Sequence, residues 1–201
     1  MEKYSQNDEQ SYILNYFNNN GEGIKYIEIG GFHPFTFSNT RALYELGASG
    51  VIVEPSPICM KQFVNEYSNE PRIKLVQAAI TPQDGTIEFH DTIGGDAIGT
   101  TDVSHKDKWE RGAGVKYNKI IVEAISMNRF IEENGSDIDF LTLDTEGTNL
   151  ELFNLLPDNF LNRLKMICIE HDNHNAKMME RLSNFGFKQI MLNAENLIAA
   201  K

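Results

Sequence analysis

The stretch "YIEIGGFHPFTFSNT" (Tyr26 to Thr40) decides the fold. An apolar run ends at a carboxylate and two glycines, the pattern of a buried strand that turns sharply toward a helix. His33-Pro34 and then Ser38-Asn39-Thr40 intervene where many nucleotide-binding turns would start their helix at once. Ser38 or Asn39 is placed to cap a helix over "RALYELG", in which Ala42, Leu43 and Leu46 share a face and Gly47 ends the run. "GVIVE" (Gly50 to Glu54) is apolar on both faces, as a central parallel strand should be. Ser56 then caps a helix with Pro57 at its first position, where the missing N–H costs nothing.

The alternation continues outward. "IKLVQ" (Ile73 to Gln77) reads as a third strand. "TPQDGTIEFH" combines a turn with an alternating strand and predicts a hairpin-like excursion. From about 94 to 116 the chain is rich in Gly, Asp and Thr and has no period, which predicts a long mobile or acceptor-binding loop. "KIIVEA" is a strand and "SMNRFIEENG" a helix between Ser126 and Gly135. "IDFLTL" (Ile138 to Leu143) is a strand, and "TNLELFNLL" opens with the capping-box spacing of Thr148 and Glu151. "KMICIE" (Lys165 to Glu170) is a strand and "AKMMERLSNFG" a helix. "FKQIML" and "NLIAA" then form a closing antiparallel hairpin at one edge. The expectation is one α/β domain over 1–201, a mostly parallel doubly wound sheet, with 1–24 as an N-terminal helical extension.

Composition narrows the function. The chain has 201 residues, 41% hydrophobic and 23% charged, an ordinary soluble balance. No apolar run approaches the roughly 20 residues that span a bilayer, and "MEKYSQNDEQ" does not read as a secretory signal. Eighteen Lys and Arg face twenty-nine Asp and Glu, a net charge of -11, with no basic run longer than a pair. Phosphate backbones and anionic membranes want clustered positive charge, so neither nucleic acid nor membrane is an expected partner. Cys59 and Cys168 lie in apolar surroundings and read as two buried thiols, which points to a reducing cytoplasmic compartment.

Ligands of such sheets sit beyond the carboxyl ends of the strands. Glu28, Glu54 and Asp144 fall there, and Gly30 and Gly31 let backbone pass close to a ligand. Glu54 suits ribose hydroxyls, since an ionised carboxylate accepts from two donors. A dinucleotide wants G-x-G-x-x-G beneath its pyrophosphate, whereas "GGFHPF" puts bulky residues there and Glu28 would repel a diphosphate. S-adenosylmethionine carries a sulfonium and an ammonium, and acidic residues beside a glycine turn suit that cation. A turn that only closes the strand, with no cofactor, is the alternative.

"YIEIGGFHPFTFSNTRALYELGASGVIVEPSP" and "DIDFLTLDTEGTNLELFNLL" together resemble the FkbM-type methyltransferases. The shared features are an acid before the glycine turn, His-Pro, Ser-Asn-Thr, a strand ending in acid-Pro, and Asp-x-Glu-Gly after a later strand. "MICIEH" is similar to the next strand of that family. Glu28, Gly31 and Phe32 depart from its usual residues. The resemblance covers about Tyr26 to the C-terminus and implies a Rossmann-like class I fold with S-adenosylmethionine as methyl donor. It implies that the glycine turn holds the methionine part of the cofactor. The expected cofactor contacts are Glu28, Gly30, Gly31, Phe32, Thr40, Glu54, Pro55, Ser56, Gln77, Ala78 and Asp144. The family acts on hydroxyls of saccharides and natural-product scaffolds, so a saccharide or small-molecule acceptor is expected, with a protein acceptor or a non-catalytic cofactor-binding module as alternatives.

Methyl transfer to a hydroxyl needs alignment, loss of a proton and exclusion of water. Asp144, Glu146 and His171 are the candidate catalytic residues, with Glu170 beside them, because each follows a strand end. His171 has a suitable intrinsic pKa for a base, and a solvated loop histidine is the plain alternative. "EHDNH" (Glu170 to His174) could ligate a metal, but it has no fixed ligand spacing and no metal is assigned. Trp109 could stack on a sugar or fill a local core, and His33 could be a structural residue bonded to backbone.

Overall fold

The computed structural model describes residues 2–201. The first half runs α1 (Glu9–Tyr16), β1 (Lys25–Ile29), α2 (Arg41–Glu45), β2 (Ser49–Val53), α3 (Pro57–Tyr67), β3 (Ile73–Val76), β4 (Ala79–Thr81) and β5 (Gly85–Thr92). There follow α4 (Val103–Ala113), β6 (Tyr117–Ser126), α5 (Met127–Asn134), β7 (Phe140–Leu143), α6 (Asn149–Leu155) and α7 (Asp158–Arg163). The chain closes with β8 (Met166–Glu170), α8 (Asn175–Ser183), β9 (Lys188–Leu192) and β10 (Asn196–Ala200).

Seven strands form one sheet in the order β3-β2-β1-β7-β8-β10-β9. The first five are parallel; β10 is antiparallel to both β8 and β9, the expected C-terminal hairpin. Alternate side chains of each central strand feed opposite layers, as period-2 geometry requires. Ile27, Ile29, Leu141, Leu143, Ile167 and Ile169 face the layer of α5 to α8. Tyr26, Ile52, Phe140, Met166 and Cys168 face α1, α2 and α3. Strand order reverses between β1 and β7, so the glycine turn after β1 stands at the topological switch point.

Four expectations need correction. β4 and β5 do not form a hairpin: β6 lies between them, parallel to β4 and antiparallel to β5, in a separate three-stranded sheet. The Asp-Gly turn therefore passes the chain around β6 instead of folding it onto its neighbour. The segment expected as an aperiodic loop contains an eleven-residue helix, α4, whose N-cap Asp102 accepts from the N–H groups of Ser104 and His105. Its polar composition hid it, because a helix that buries no residue shows no apolar period. Thr148 makes no capping-box bond; its hydroxyl pairs with Thr145, and Asn149 accepts from the Thr145 N–H instead. Finally, α7 was absent from the expected elements.

The opening turn is explained by packing. Gly30 has φ +84°, and a Cβ there would lie 1.6 Å from the Asp144 carbonyl oxygen. A Cβ on Gly31 would meet Ile52 at 2.7 Å. The two glycines thus let the β1 turn wedge between the ends of β2 and β7. His33 Nδ1 accepts from the N–H groups of Phe35 and Thr36, both at 3.0 Å, so this histidine is a backbone cap. Ser38 Oγ accepts from Arg41 N–H at 3.1 Å and starts α2.

Candidate functional site at the switch point

A cleft of about 550 Å³ opens over the carboxyl ends of β1, β2, β7 and β8, within the size range of small-ligand sites. Its floor holds Glu28 and Glu54, each only 6% exposed. Thr40 Oγ1 donates to Glu28 Oε2 at 2.6 Å. The Ser56 N–H donates to Glu54 Oε1 at 2.6 Å, while Ser56 Oγ caps α3. Burial pushes Glu28 up to about 7 and Glu54 up to about 8, with repulsion from Asp91 and Glu28 adding to the latter. Two acids this reluctant to ionise mark a place where a cation or hydroxyl donors are wanted.

A second acidic group lies across the cleft. Asp144 follows β7, Glu146 sits two residues on at φ 52°, and Glu170 ends β8. One carboxylate oxygen from each lies within 4.8 Å of the others. Burial and mutual repulsion raise all three, Glu170 to about 9. Asn149 Nδ2 donates to Glu170 at 2.6 Å and to Asp172 at 3.0 Å. From α4, His105 Nε2 stands 2.9 Å from Glu146 Oε2 and 2.8 Å from Trp109 Nε1. Protonated, that nitrogen donates to the carboxylate; bare, it accepts from the indole. The hydrogen bond to Glu146 raises the His105 pKa. A Cβ on Gly147 would meet the His105 ring at 3.0–3.2 Å, so the glycine of "DTEG" makes room for this histidine.

The expected site residues divide accordingly. Glu28, Gly30, Phe32, Glu54, Pro55, Ser56, Ala78, Asp144 and Glu146 line the cleft. Thr40 acts behind it, through Glu28, and Gly31 faces the core. Gln77 is exposed and does not line the cleft; the strand ends a residue earlier and turns its side chain to solvent. His171 also stays out. Its Nδ1 accepts from the Asn173 N–H at 3.0 Å and its Nε2 meets the Asn193 carbonyl at 3.1 Å, so both ring nitrogens hold backbone. That leaves His171 no nitrogen for an acceptor. The polar cleft-lining side chains of α4 that the sequence did not single out are His105 and Lys108. The i, i+3, i+4 spacing of His105, Lys108 and Trp109 after a capping Asp102 was the available signal.

A parallel sheet with this strand order, closed by an antiparallel hairpin, with a glycine turn and acids at its switch point, has the class I methyltransferase fold. The precorrin-6y C5,15-methyltransferase of Geobacter metallireducens GS-15 has this fold (TM-score 0.51, 12% identity, 100% of this chain and 92% of that one). So do a putative caffeoyl-CoA O-methyltransferase of Staphylococcus aureus (0.51, 10% identity, 98% and 84%) and the putative methyltransferase yhhF of Escherichia coli (0.50, 9% identity, 100% and 88%). At such identities the likeness is one of fold. The chain belongs to the FkbM methyltransferases: the methyltransferase FkbM domain matches residues 16–189. No curated protein matches the sequence. The family and fold generally bind S-adenosylmethionine. Among the described residues no helix is long and apolar enough to cross a membrane.

Proposed function

We propose that the protein transfers the methyl group of S-adenosylmethionine to a hydroxyl of a saccharide or other small molecule. The observation that carries this reading is the pair of buried carboxylates, Glu28 and Glu54, flanking a glycine turn at the switch point of a methyltransferase sheet. Glu54 spends one oxygen on the Ser56 N–H and keeps the other for ribose hydroxyls. Glu28, braced by Thr40 and raised to about 7 in the ligand-free protein, ionises against the methionine ammonium. Phe32, Pro55, Ser56 and Ala78 complete the wall. Bound there, the cofactor supplies an electrophilic methyl group on a sulfonium.

The acceptor side is Asp144, Glu146 and Glu170. Asp144 orients the acceptor hydroxyl, and Glu146, paired with His105, takes up the proton; Glu170, raised to about 9, holds its own proton and is not the base. Trp109 and Lys108, on the same face of α4, offer an indole for a sugar ring and a cation for an anionic substituent. The net charge of -11 and the acidic cleft favour a small acceptor over nucleic acid, and we place the enzyme, a single domain over 1–201, in the cytoplasm on the strength of its two unpaired buried thiols.

The test is methyl transfer from labelled S-adenosylmethionine to a panel of sugars, glycan precursors, amines and proteins. Label in an ether-linked methyl on a hydroxyl compound is the expected result. Label confined to amines or protein would redirect the acceptor, and cofactor binding without turnover on any acceptor would favour a non-catalytic module.

A further inference from the structure

The geometry points to a divalent-cation site formed by Asp144, Glu146 and Glu170. The three carboxylates come from the loop after β7 and the end of β8, so two adjacent strand ends converge on one spot. Each offers an oxygen within 4.8 Å of the others. Oxygens around a six-coordinate cation at about 2.1 Å stand roughly 3–4.2 Å apart, so small side-chain rotations close the set. The three carboxylates offer oxygen donors alone, which favours a hard ion of the Mg²⁺ and Mn²⁺ type.

A second observation separates this cluster from ordinary acidic surface. Asp144 Oδ1 is shielded from solvent and accepts from no N–H or alcohol; apart from a proton shared with Glu170 it has no donor. A shielded carboxylate oxygen without a donor is costly, and a cation beside it removes the cost. The neighbours leave room for one. Asn149 satisfies one oxygen of Glu170, and His105 meets one oxygen of Glu146. Among the described residues no lysine or arginine ion-pairs with any of the three. The set lies in the same cleft as Glu28 and Glu54, on the side of β7 away from β2. A cation here would take the acceptor hydroxyl as a further ligand and hold it. That role rests on the methyl-transfer reading, whereas the binding of the ion does not.

The test uses Mn²⁺ as probe on the full-length chain, by electron paramagnetic resonance of free Mn²⁺ and by calorimetry. Saturable binding of one ion at sub-millimolar concentration is expected, displaced by excess Mg²⁺. Asp144→Asn and Glu170→Gln should each weaken it by at least about tenfold, since affinity follows the charge count of the ligands. Circular dichroism keeps folded variants apart from unfolded ones, and the wild-type titration stands without them. No saturable binding by about 1 mM Mn²⁺ would overturn the site and leave the carboxyls holding shared protons. Unchanged binding in both folded variants would overturn it equally. S-adenosylmethionine titrated into the same samples decides the other reading: Mn²⁺ binding without cofactor binding keeps the metal site and removes the methyltransferase reaction, and the reverse removes the metal site alone.

Discussion

The two walls of the cleft rest on different physics. One is the packed end of the central sheet. Its acids, Glu28 and Glu54, are almost wholly buried and each is tied by a short hydrogen bond, to Thr40 and to the Ser56 N–H. The other wall is α4 and its flanks. That helix buries no residue and is fastened largely through polar contacts: His105 to Glu146, and Thr100 Oγ1 to the Glu146 carbonyl at 2.6 Å. Buried apolar packing fixes geometry, whereas exposed polar contacts hold it weakly. On the proposed reading, the preformed half takes the cofactor and the adjustable half the acceptor.

The largest expected effect is on the seam where the halves meet. Asp144→Asn should lower methyl transfer by about 10²-fold, the scale of a misplaced reactant, with affinity and turnover falling together. A folded variant with near-normal kcat would move the chemistry off this seam. His171→Ala should instead cost stability, by roughly 1–3 kcal/mol for two lost backbone contacts, and leave kcat nearly intact. A large fall in kcat without loss of Tm would return His171 to the chemistry.

Hydrogen exchange sharpens the contrast between walls. Amides of α4 should exchange well before those of β7, and His105→Ala should speed α4 further while leaving β7 unchanged. Equal protection of both would remove the adjustable half. A smaller effect is expected with pH. Glu28, Glu54 and Glu170 sit at about 7, 8 and 9 in the folded chain, above an ordinary value of 4.5. The folded state therefore binds more protons than the unfolded state between those values. Stability from these groups is present below about pH 4.5 and is lost as pH rises through 7 to 9. The Tm of the ligand-free protein should fall across that range, and a Tm that rose would contradict the buried, uncompensated acids.

The packed wall was legible in the sequence and the adjustable wall was not, for the same reason. Apolar runs such as "GVIVE" and "KMICIE" record burial on both faces, and Ser56-Pro57 records a helix start; the parallel sheet, its hairpin and its switch point follow from them. Glu28, Glu54 and Asp144 could be placed at the cleft because they fall at strand ends, where ligands of such sheets bind. By contrast α4 contributes nothing to the core and left no period to read. The register of β4, β5 and β6 depends on which strand inserts between the others, which no local turn encodes. His171 misled because its position after β8 was right while its ring orientation is set by Asn173 and Asn193. His105 was invisible until α4 placed it opposite Glu146.

Calorimetric titration of S-adenosylmethionine into the wild-type chain and into Glu54→Ala tests the central claim most directly. One site is expected in the wild type. Removing a charged hydrogen-bond partner costs about 1.5–3 kcal/mol, so the folded variant should bind about one to two orders of magnitude more weakly. No binding to the wild type, or equal binding to both proteins, would contradict the assignment of this cleft to the cofactor.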